Sequence, residues 1–243
     1  MRLDVYLTEN GFFESRSKAQ AAIKEGFILI NGKTAEKHSA DVIGNENIEI
    51  TKKDRFVSRA GEKLAGALDA FGFSPKGMTA VDIGASTGGF TDCLLQNGAR
   101  FVYAVDVGTA QLSEKLRKNE RVCVMENCNA RNASRTDFDK DIDLIVMDVS
   151  FISQTLIYPA CADILSEGKK MITLIKPQFE AGKQNNGKGG IVKDRNGRII
   201  KEILSRIDEE AEKNGFKRID FTDSPIEGGD GNKEYLALFI KVR

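Results

Sequence analysis

Residues 79–91 read Thr-Ala-Val-Asp-Ile-Gly-Ala-Ser-Thr-Gly-Gly-Phe-Thr, and the rest of the chain can be placed around this stretch. Its apolar start predicts a buried strand at Thr79–Ile83, and its end predicts the first turn of a helix at Phe90–Gln96. Gly84, Gly88 and Gly89 lie between the two, where glycine permits positive φ and lets a ligand approach the backbone. The stretch therefore predicts the first β-turn-α unit of an open α/β sheet, whose ligands bind beyond the carboxyl ends of the strands.

The spacing of this turn differs from that of two common phosphate-binding motifs. Gly84 is followed by Ala85 and Ser86, so the G-x-G-x-x-G dinucleotide pattern is missing. The P-loop pattern requires a lysine after its last glycine, and Gly89 is followed by phenylalanine. The turn is therefore not predicted to bind a pyrophosphate group.

Three carboxylates are expected at the same edge of the sheet, namely Asp82 in the first strand, Asp106 after the next strand and Asp148 after a later one. Together they would repel a dianion and attract a cation, which favours S-adenosylmethionine with its sulfonium, ammonium and ribose diol. Asp106 follows Gly84 by 22 residues, the usual distance for a carboxylate that accepts hydrogen bonds from ribose. The alternative is a purely structural turn with scattered surface acids. The predicted cofactor-binding residues are Asp82, Gly84, Ala85, Ser86, Gly88, Gly89, Asp106, Val107, Asn129 and Asp148.

Asn129 is included because it follows the third predicted strand, where its side chain could bind an adenine edge. An asparagine that only forms a turn is the competing interpretation.

The composition restricts the classes of function that remain. The chain has 36 basic and 36 acidic residues among 243, so a nucleic acid would have to bind a local basic patch. No apolar run approaches the length of a membrane span, and we expect a cytoplasmic protein without a signal peptide. The four cysteines form no C-x-x-C pair, so reduced thiols are expected. His38 is the single histidine, which argues against a Ser-His-Asp triad and a histidine-rich metal site, and no metal is predicted.

Residues 1–52 are predicted to form a small α+β domain, 53–59 a charged linker, and 60–243 a larger α/β domain. In the small domain, Asn31-Gly32 is a strong hairpin signal. The expected elements are helices at Arg2–Leu7 and Ser15–Lys24 and strands at Phe27–Ile30, Val42–Gly44 and Asn47–Ile50.

Four cations of the small domain, Arg2, Arg16, Lys18 and Lys24, could lie along one surface and bind a phosphate backbone. A solvated helix face is the alternative, because acids are as numerous there. The pattern R-L-D-x-x-L, S-R-S-x-A and I-x-x-G-x-I-x-I-N-G-K within residues 2–33 resembles the RNA-binding domain named after ribosomal protein S4. Arg59 and Lys188 are the predicted RNA contacts outside it; Lys188 lies in a long Gly- and Lys-rich loop, which is either a lid over RNA or a solvated excursion.

The larger domain alternates apolar strands with helices and ends in two strands around a Gly-rich turn. This order predicts a class I, Rossmann-like methyltransferase fold with a mostly parallel seven-stranded sheet. Ser58 is expected to cap the first helix. The other expected elements are strands at Phe101–Val105, Arg121–Met125, Ile142–Met147, Lys170–Ile175, Arg218–Thr222 and Glu234–Val242, and helices at Ala110–Lys118 and Asn196–Asn214.

Lys63, Asp148, Lys176 and Glu234 lie at or beside the ends of predicted elements, where they could converge or stand apart as surface charges. Several motifs resemble the TlyA family, which joins the RNA-binding domain above to an FtsJ-like ribosomal RNA 2′-O-methyltransferase. They are S-R-A-x-x-K-L at 58–64, D-I-G-A-S-T-G-G-F-T at 82–91, M-D-V-S-F-I-S at 147–153, I-K-P-Q-F-E at 175–180, G-K-G-G-I-V at 187–192 and N-K-E-Y at 232–235.

The resemblance implies that these four residues form a catalytic tetrad in which Lys176 activates the hydroxyl. It implies methylation of cytidine in ribosomal RNA, with ribosomal RNA or subunits as partners. Thr87 departs from FtsJ itself, which has proline there, but the glycines of the turn remain.

Three other functions stay open. One is a non-catalytic RNA-binding factor in ribosome assembly. Another is a haemolysin-like membrane-active protein, which the absence of amphipathic membrane segments disfavours. The third is methylation of a base or of a small molecule, and for a base Cys128 is the candidate nucleophile near the sheet edge.

Overall fold

The computed structural model describes residues 1–24, 26–51, 55–181, 191–192, 194, 196–229 and 231–243. The chain divides into two compact units, an amino-terminal unit (Met1–Asp54) and a carboxy-terminal unit (Arg55–Arg243). Of the segment predicted as a linker, Phe56 and Val57 are buried in the core of the carboxy-terminal unit.

The amino-terminal unit packs two helices against a small antiparallel sheet of order β2-β1-β3. Its core contains Leu3 and Leu7 from the first helix, Ile23 from the second and Ile28 from the central strand, all buried. Leu3 and Leu7 lie four residues apart in the first helix, as Ala19 and Ile23 do in the second, so each helix turns an apolar face inward. The elements are α1 (Leu3–Glu9), α2 (Arg16–Lys24), β1 (Ile28–Ile30), β2 (Lys33–Thr34) and β3 (Ile48–Ile50).

The hairpin predicted at Asn31-Gly32 is confirmed, since both residues have positive φ and join β1 to β2. The strand predicted at Val42–Gly44 is wrong. The carboxylate of Glu46 accepts hydrogen bonds from the backbone N–H groups of Ile43 and Gly44, both at 2.9 Å, and this turns the chain instead of extending it.

The carboxy-terminal unit alternates strands and helices over most of its length. Its helices are α3 (Ala60–Ala70), α4 (Gly89–Gln96), α5 (Glu114–Arg117), α6 (Tyr158–Ile164), α7 (Pro177–Glu180) and α8 (Arg198–Lys213), and 3₁₀ turns lie at Ala130–Asn132, Arg135–Asp137 and Gln154–Ile157. Its strands are β4 (Thr79–Ile83), β5 (Phe101–Val105), β6 (Val122–Met125), β7 (Leu144–Met147), β8 (Lys170–Ile175), β9 (Phe216–Asp223) and β10 (Tyr235–Lys241).

These strands form one seven-stranded sheet in the order β6-β5-β4-β7-β8-β10-β9. Neighbours from β6 to β8 are parallel, whereas β10 runs antiparallel to both β8 and β9. The predicted fold class, a mostly parallel seven-stranded α/β sheet after a small α+β unit, is confirmed. Central β4 has β5 as its neighbour on one side and β7 on the other, so the order of the strands reverses beside β4. Ligands of open α/β sheets bind beside such a switch point.

Apolar side chains cover both faces of the sheet, as expected where helices pack on each side. Successive residues of β4 alternate, with Ala80 in one apolar cluster and Val81 in the other. The first cluster includes side chains of α3 and α4, such as Leu64 and Leu94. The second includes side chains of α6 and α8, such as Tyr158 and Ile207. Both clusters hold the sheet rigid, so that the loops at its carboxyl edge start from fixed positions.

Two predicted helix starts are wrong. The helix expected from Ala110 to Lys118 is reduced to α5 at Glu114–Arg117, because Ala110 has φ +55° and Ser113 is extended, with φ −59° and ψ 144°. Ser58 does not cap α3, which begins at Ala60 with Arg59 as its first flanking residue and no side-chain cap.

Candidate active site

The glycine-rich turn lies with its backbone directly against the end of β7. Gly84 has φ +81°, a left-handed value that favours glycine. A Cβ at this position would collide with the backbone oxygen of Asp148, so an alanine would force the two loops apart. The N–H groups of Gly84 and Ala85 both donate to the backbone oxygen of Val105, at 2.9 and 3.1 Å. The turn is thus fixed between the ends of β5 and β7.

Gly88 and Gly89 face neighbouring helices. Gly88 has φ +96°, and a Cβ there would meet the side chain of Leu116. A Cβ at Gly89 would meet the hydroxyl of Ser58 and the methyl of Ala60, so this glycine lets α3 approach α4. Neither glycine lines the cavity described below, and their predicted contact with the cofactor stays a prediction.

Asp106, directly after β5, is oriented by two backbone groups. Its Oδ2 accepts from the N–H of Ser86 at 2.8 Å, and its Oδ1 accepts from the N–H of Gly108 at 2.7 Å. Each carboxylate oxygen can accept more than one hydrogen bond, so both remain able to receive a ribose hydroxyl. The first bond also joins the carboxylate to the glycine-rich turn.

A cavity of about 550 Å³ opens at this edge of the sheet. A smaller cavity of about 180 Å³ shares part of its wall with the larger one and includes Ala85 and Lys176. The side chains and backbone common to both cavities belong to Gly84, Ser86, Asp148 and Ser150. Of the predicted cofactor-binding residues, the larger cavity brings together Gly84, Ser86, Asp106, Val107, Asn129 and Asp148.

Asn129 caps the start of the 3₁₀ turn Ala130–Asn132 on this cavity wall. Its Oδ1 accepts from the backbone N–H of Arg131 at 3.1 Å, so the residue does form a turn. It also lies on the cavity, which keeps its predicted contact with adenine compatible with the turn.

Asp82 is fully buried within β4 and does not line the cavity. Its Oδ2 accepts from the hydroxyl of Thr91 at 2.6 Å, and among the described residues its Oδ1 has no hydrogen-bond partner. Burial raises the pKa of Asp82 to about 7. The carboxyl therefore ties β4 to α4 beneath the glycine-rich turn.

Lys176 and Asp148 form an ion pair on the wall of the smaller cavity. The Lys176 Nζ lies 2.5 Å from Asp148 Oδ1 and donates to the hydroxyl of Ser150 at 2.9 Å. Both charged side chains are largely buried, with 12% and 15% exposed. Because β7 and β8 are parallel neighbours, residues that follow both strands meet at the same edge.

Lys63 and Glu234 form a second ion pair, more deeply buried than the first. Strand β10 is antiparallel to β8 and pairs Tyr235 with Ile175, so Glu234 comes to lie beside the position of Lys176. Helix α3 supplies Lys63 from its buried face. The structure thus brings the four predicted catalytic residues to one edge of the sheet, and their catalytic roles stay a prediction.

No sequence motif gives Ser150 a role, although its hydroxyl accepts a hydrogen bond from the Lys176 ammonium. The signal that could have found it is its position two residues after Asp148, in the loop that follows β7. Phe151, the next residue, has φ +64° and a 91% exposed side chain on the cavity wall.

In the amino-terminal unit, a buried carboxylate organises two of the predicted RNA contacts. Asp4 is fully buried and accepts two hydrogen bonds from Arg2, both at 3.0 Å, and one from Arg16 at 3.1 Å. Gln20 donates to the same carboxylate at 2.5 Å. Hydrogen bonds from Arg2 hold the pKa of Asp4 well below its usual range. The two guanidinium groups remain about half exposed, with 44% and 54% of their side chains accessible.

Within this unit, Lys18 and Lys24 do not join this cluster. Lys18 pairs with Glu14 at 2.6 Å. Lys24 is an exposed residue at the end of α2. Arg59 belongs to the carboxy-terminal unit, and Lys188 lies outside the described residues.

The larger cavity fits S-adenosylmethionine. Its volume of about 550 Å³ lies within the range of about 300–1,000 Å³ typical of small-ligand sites. The carboxylates of Asp106 and Asp148 can bind hydroxyl and ammonium groups and attract a sulfonium. Apolar Ile83, Val105 and Ile157 supply surface for an adenine ring. Gly84 leaves room for the ligand because its backbone carries no side chain.

In the part of the chain that the structure describes, every helix is too short or too polar to cross a membrane. In the same residues, histidine, cysteine, aspartate and glutamate side chains form no group of three or more that could hold a metal ion.

Comparisons with known proteins agree with this geometry. The profile of FtsJ-like methyltransferases matches residues 56–241, and that of the S4 domain matches residues 1–46. Hemolysin A of Brachyspira hyodysenteriae is 46% identical over 99% of this chain and 100% of its own length. The 16S/23S rRNA (cytidine-2′-O)-methyltransferase TlyA of Mycobacterium tuberculosis is 39% identical over 100% of this chain and 90% of its own length. A solved hemolysin-like structure from Streptococcus thermophilus superposes with a TM-score of 0.79 at 43% identity, covering 100% of this chain and 88% of the other. The chain therefore belongs to the TlyA family of FtsJ-like methyltransferases, and its cofactor is S-adenosylmethionine.

Proposed function

We propose that this protein methylates the 2′-hydroxyl of a ribose, that of a cytidine, in ribosomal RNA. The observation that carries the proposal is the Lys176–Asp148 ion pair on the smaller cavity, because Asp148 also lines the larger, cofactor-sized cavity. The Mycobacterium tuberculosis relative bears the name of a cytidine-2′-O-methyltransferase of 16S and 23S rRNA, which supports the choice of acceptor. A ribosomal substrate places the enzyme in the cytoplasm.

The reaction requires a poor nucleophile to lose its proton. The bound cofactor supplies an electrophilic methyl group on a sulfonium. Lys176 Nζ would accept the proton of a ribose 2′-hydroxyl as its oxygen takes this methyl group from sulfur, and would then release the proton to solvent. Holding hydroxyl and methyl in line contributes about 7–11 kcal/mol toward the barrier in well-oriented reactions. Lys176 must therefore be both positioned and, at the moment of transfer, unprotonated.

Asp148 and Ser150 position Lys176. The carboxylate is 2.5 Å from Nζ and the hydroxyl is 2.9 Å away on the same loop. A lysine held from two sides keeps its long side chain in one rotamer, which makes the attack geometry reproducible. When the 2′-oxygen gives up its proton, Asp148 stabilises the ammonium that forms.

Lys63 and Glu234 form the second ion pair of the tetrad. Their buried ion pair fixes the Glu234 carboxylate next to the position of Lys176. A carboxylate in that place can attract the proton leaving Lys176, and Lys63 neutralises the charge of the Glu234 carboxylate between turnovers. We assign both residues to the reaction on this basis.

The amino-terminal unit supplies contacts to RNA. Arg2 and Arg16 present half-exposed guanidinium groups held by buried Asp4. Guanidinium groups bind phosphate oxygens in a fork geometry, so a preoriented pair suits an RNA backbone. The partners we propose are ribosomal RNA or ribosomal subunits.

Methylation of a base carbon through a cysteine is the competing chemistry. Cys128 lines the larger cavity, but burial raises the pKa of its thiol. A raised pKa lowers the fraction of nucleophilic thiolate. The site therefore favours oxygen methylation assisted by a lysine.

The experiment is transfer of a labelled methyl group from S-adenosylmethionine to ribosomal subunits and to their naked RNA, followed by alkaline hydrolysis. Label in alkali-resistant dinucleotides, with methylcytidine on digestion, is the expected result. Label in mononucleotides would assign the chemistry to a base. Absence of label on both subunits and their RNA, with cofactor binding intact, would leave an RNA-binding assembly factor.

Variants at Lys176 test its role. Lys176→Ala should reduce transfer at least about 100-fold, the usual scale of a lost general base, while S-adenosylmethionine still binds. Lys176→Arg should not restore activity, because a guanidinium stays protonated. Lys201→Ala, which removes an exposed lysine on α8, serves as the control and should behave like the parent. Near-normal turnover by folded Lys176→Ala would refute the assignment.

A further inference from the structure

The loop between β5 and α5 forms one wall of the cofactor cavity. Val107 and Gln111 of this loop both line the cavity, and the Val107 side chain is 72% exposed. The Gln111 side chain lies over Gly108, where a Cβ would meet its amide nitrogen. A ligand beside Asp106 would therefore contact this loop, and the shape of the wall depends on what holds the loop in place.

Glu126, directly after β6, binds the loop through its carboxylate. It accepts hydrogen bonds from the consecutive backbone N–H groups of Ala110 at 2.9 Å, Gln111 at 3.1 Å and Leu112 at 3.4 Å. Arg117 of α5 donates to the same carboxylate at 2.5 Å. These donors, with the Ala110 amide first, lower the pKa of Glu126 to about 2. One carboxylate thus accepts from three consecutive backbone N–H groups, which even a helix beginning at Ala110 would leave without an intrahelical acceptor.

Backbone bonds connect the same two loops nearer the cavity. The N–H of Asn127 donates to Gly108 at 3.0 Å, and the N–H of Cys128 donates to the backbone oxygen of Asp106 at 2.9 Å. The N–H of Ser113 donates to Thr87 in the glycine-rich turn at 3.2 Å. The loop is therefore held at each end by backbone bonds and in its middle by Glu126.

We propose that Glu126 is a positioning residue for the cofactor: it holds the loop from Val107 to Leu112 in the form that completes the cavity wall next to Asp106. The Glu126 side chain does not line the cavity, so it acts through the loop. Without it, Ala110, Gln111 and Leu112 lose a shared acceptor, and the loop spends less time in the form that binds. Affinity falls in proportion to the population of that form.

Direct binding measurements by calorimetry test this, and they need no methyl acceptor, so the result is independent of the RNA substrate proposed above. Glu126→Gln and Glu126→Asp should each raise the Kd about tenfold if the binding form falls to roughly one tenth of the population. Glu126→Asp keeps the charge but shortens the side chain by one methylene. The kcat of the full chain at saturating cofactor should stay near that of the parent, because the catalytic tetrad is untouched.

Comparing the Kd of S-adenosylmethionine with that of S-adenosylhomocysteine separates an effect on loop position from an effect on charge attraction. S-adenosylhomocysteine lacks the positive sulfonium, so loss of loop order should weaken its binding and that of S-adenosylmethionine by the same factor. Glu114→Gln removes a charge from an exposed residue of α5 and is the matched control, expected to leave both Kd values unchanged.

Three results would overturn the proposal. They are an unchanged Kd in folded Glu126→Gln and Glu126→Asp, an effect confined to S-adenosylmethionine, and an equal effect of Glu114→Gln. Thermal unfolding of each variant shows whether the binding experiments were made on folded protein, and Glu126→Asp, which retains the ion pair with Arg117, is the variant expected to fold most readily.

Discussion

The buried ion pair between Lys63 and Glu234 allows stability and catalysis to be tested with the same variants. Only 10% of the Lys63 side chain and 3% of the Glu234 side chain are exposed. Lys63→Met removes the cation and leaves a carboxylate in the interior without its charge partner. Glu234→Gln leaves the ammonium in the same situation.

Loss of one partner of a buried pair costs about 3–5 kcal/mol, because an uncompensated charge stays out of water. At about 2–4 °C per kcal/mol for a domain of this size, each single variant should lower the Tm by roughly 6–20 °C. The double variant Lys63→Met/Glu234→Gln buries no net charge. It should therefore recover at least half of the lost stability, although the amide of the glutamine still needs hydrogen-bond partners.

Methyl transfer should follow a different pattern from stability. If Glu234 takes part in the reaction beside Lys176, the double variant stays at least about 100-fold less active than the parent despite its recovered Tm. Lys118→Met is the matched control. It breaks a pair with Glu114 in which both side chains are more than 70% exposed, and such pairs contribute at most about 1 kcal/mol.

Calorimetry gives the Tm of the four variants, and labelled-methyl transfer gives their activity. Together they show whether the Lys63–Glu234 pair takes part in the reaction or only supports the fold. A double variant that regains activity together with stability would show that the pair only supports the fold. Single variants as stable as the Lys118→Met control would show that the pair is not buried as described.

The other predictions concern Gly228, the buried Asp4 carboxylate that binds two arginines, and the buried Asp82 carboxyl. Gly228→Ala places a methyl 2.6 Å from Glu234 Oε1 and should reduce methyl transfer, whereas Gly229→Ala, where the space is open, should not; equal activities would contradict the packing. Asp4→Asn makes the amino-terminal unit more positive, yet it should weaken RNA binding because the arginines lose their anchor, and tighter binding in filter assays would refute this. Burial raises the pKa of Asp82 from 3.8 to about 7, so the free energy of unfolding should fall as the pH rises from about 4 to 7. Asp82→Asn should remove that slope in denaturant titrations, and a persisting slope would assign it to other groups.

The strands and the glycine-rich turn could be predicted from sequence because their signals are local. The predicted bounds of β4, β5 and β8 are those observed, Thr79–Ile83, Phe101–Val105 and Lys170–Ile175. Strands buried on both faces are near-continuous apolar runs, and such runs end where the chain reaches the sheet edge. Asp106 and Asp148 could be placed at that edge for the same reason.

Features that depend on distant parts of the chain could not be predicted this way. The partner of Lys63 lies 171 residues away and is set by the register of β10 on β8, which a local pattern does not contain. The start of α5 is displaced because Ala110 has φ +55° and Ser113 is extended, with φ −59° and ψ 144°. In this non-helical form the loop gives three consecutive amides to Glu126 on another element, a contact that a local pattern does not contain.

The antiparallel strand β10 explains how the tetrad is assembled. In a parallel sheet only residues that follow strands meet at the carboxyl edge, as Asp148 and Lys176 do. Because β10 runs in the opposite direction, the residue that precedes it, Glu234, arrives at the same edge. One reversed strand thus lets the chain contribute a side chain from a loop that would otherwise lie at the opposite end of the sheet.

The charges of this arrangement limit what the tetrad can do alone. Two lysines face two carboxylates in two ion pairs, so the group carries no net charge and cannot by itself attract a polyanion. The whole chain is neutral as well, with 36 basic and 36 acidic residues, so no long-range field replaces it. Attraction of RNA must therefore come from local cations kept free of close neutralisation. Arg2 and Arg16 meet this condition only in part. Asp4 forms ion pairs with both guanidinium groups, while about half of each arginine side chain stays in solvent. RNA attraction thus depends on exposed arginines and not on the neutral tetrad. Added salt should therefore weaken RNA binding strongly and leave turnover of bound RNA nearly unchanged.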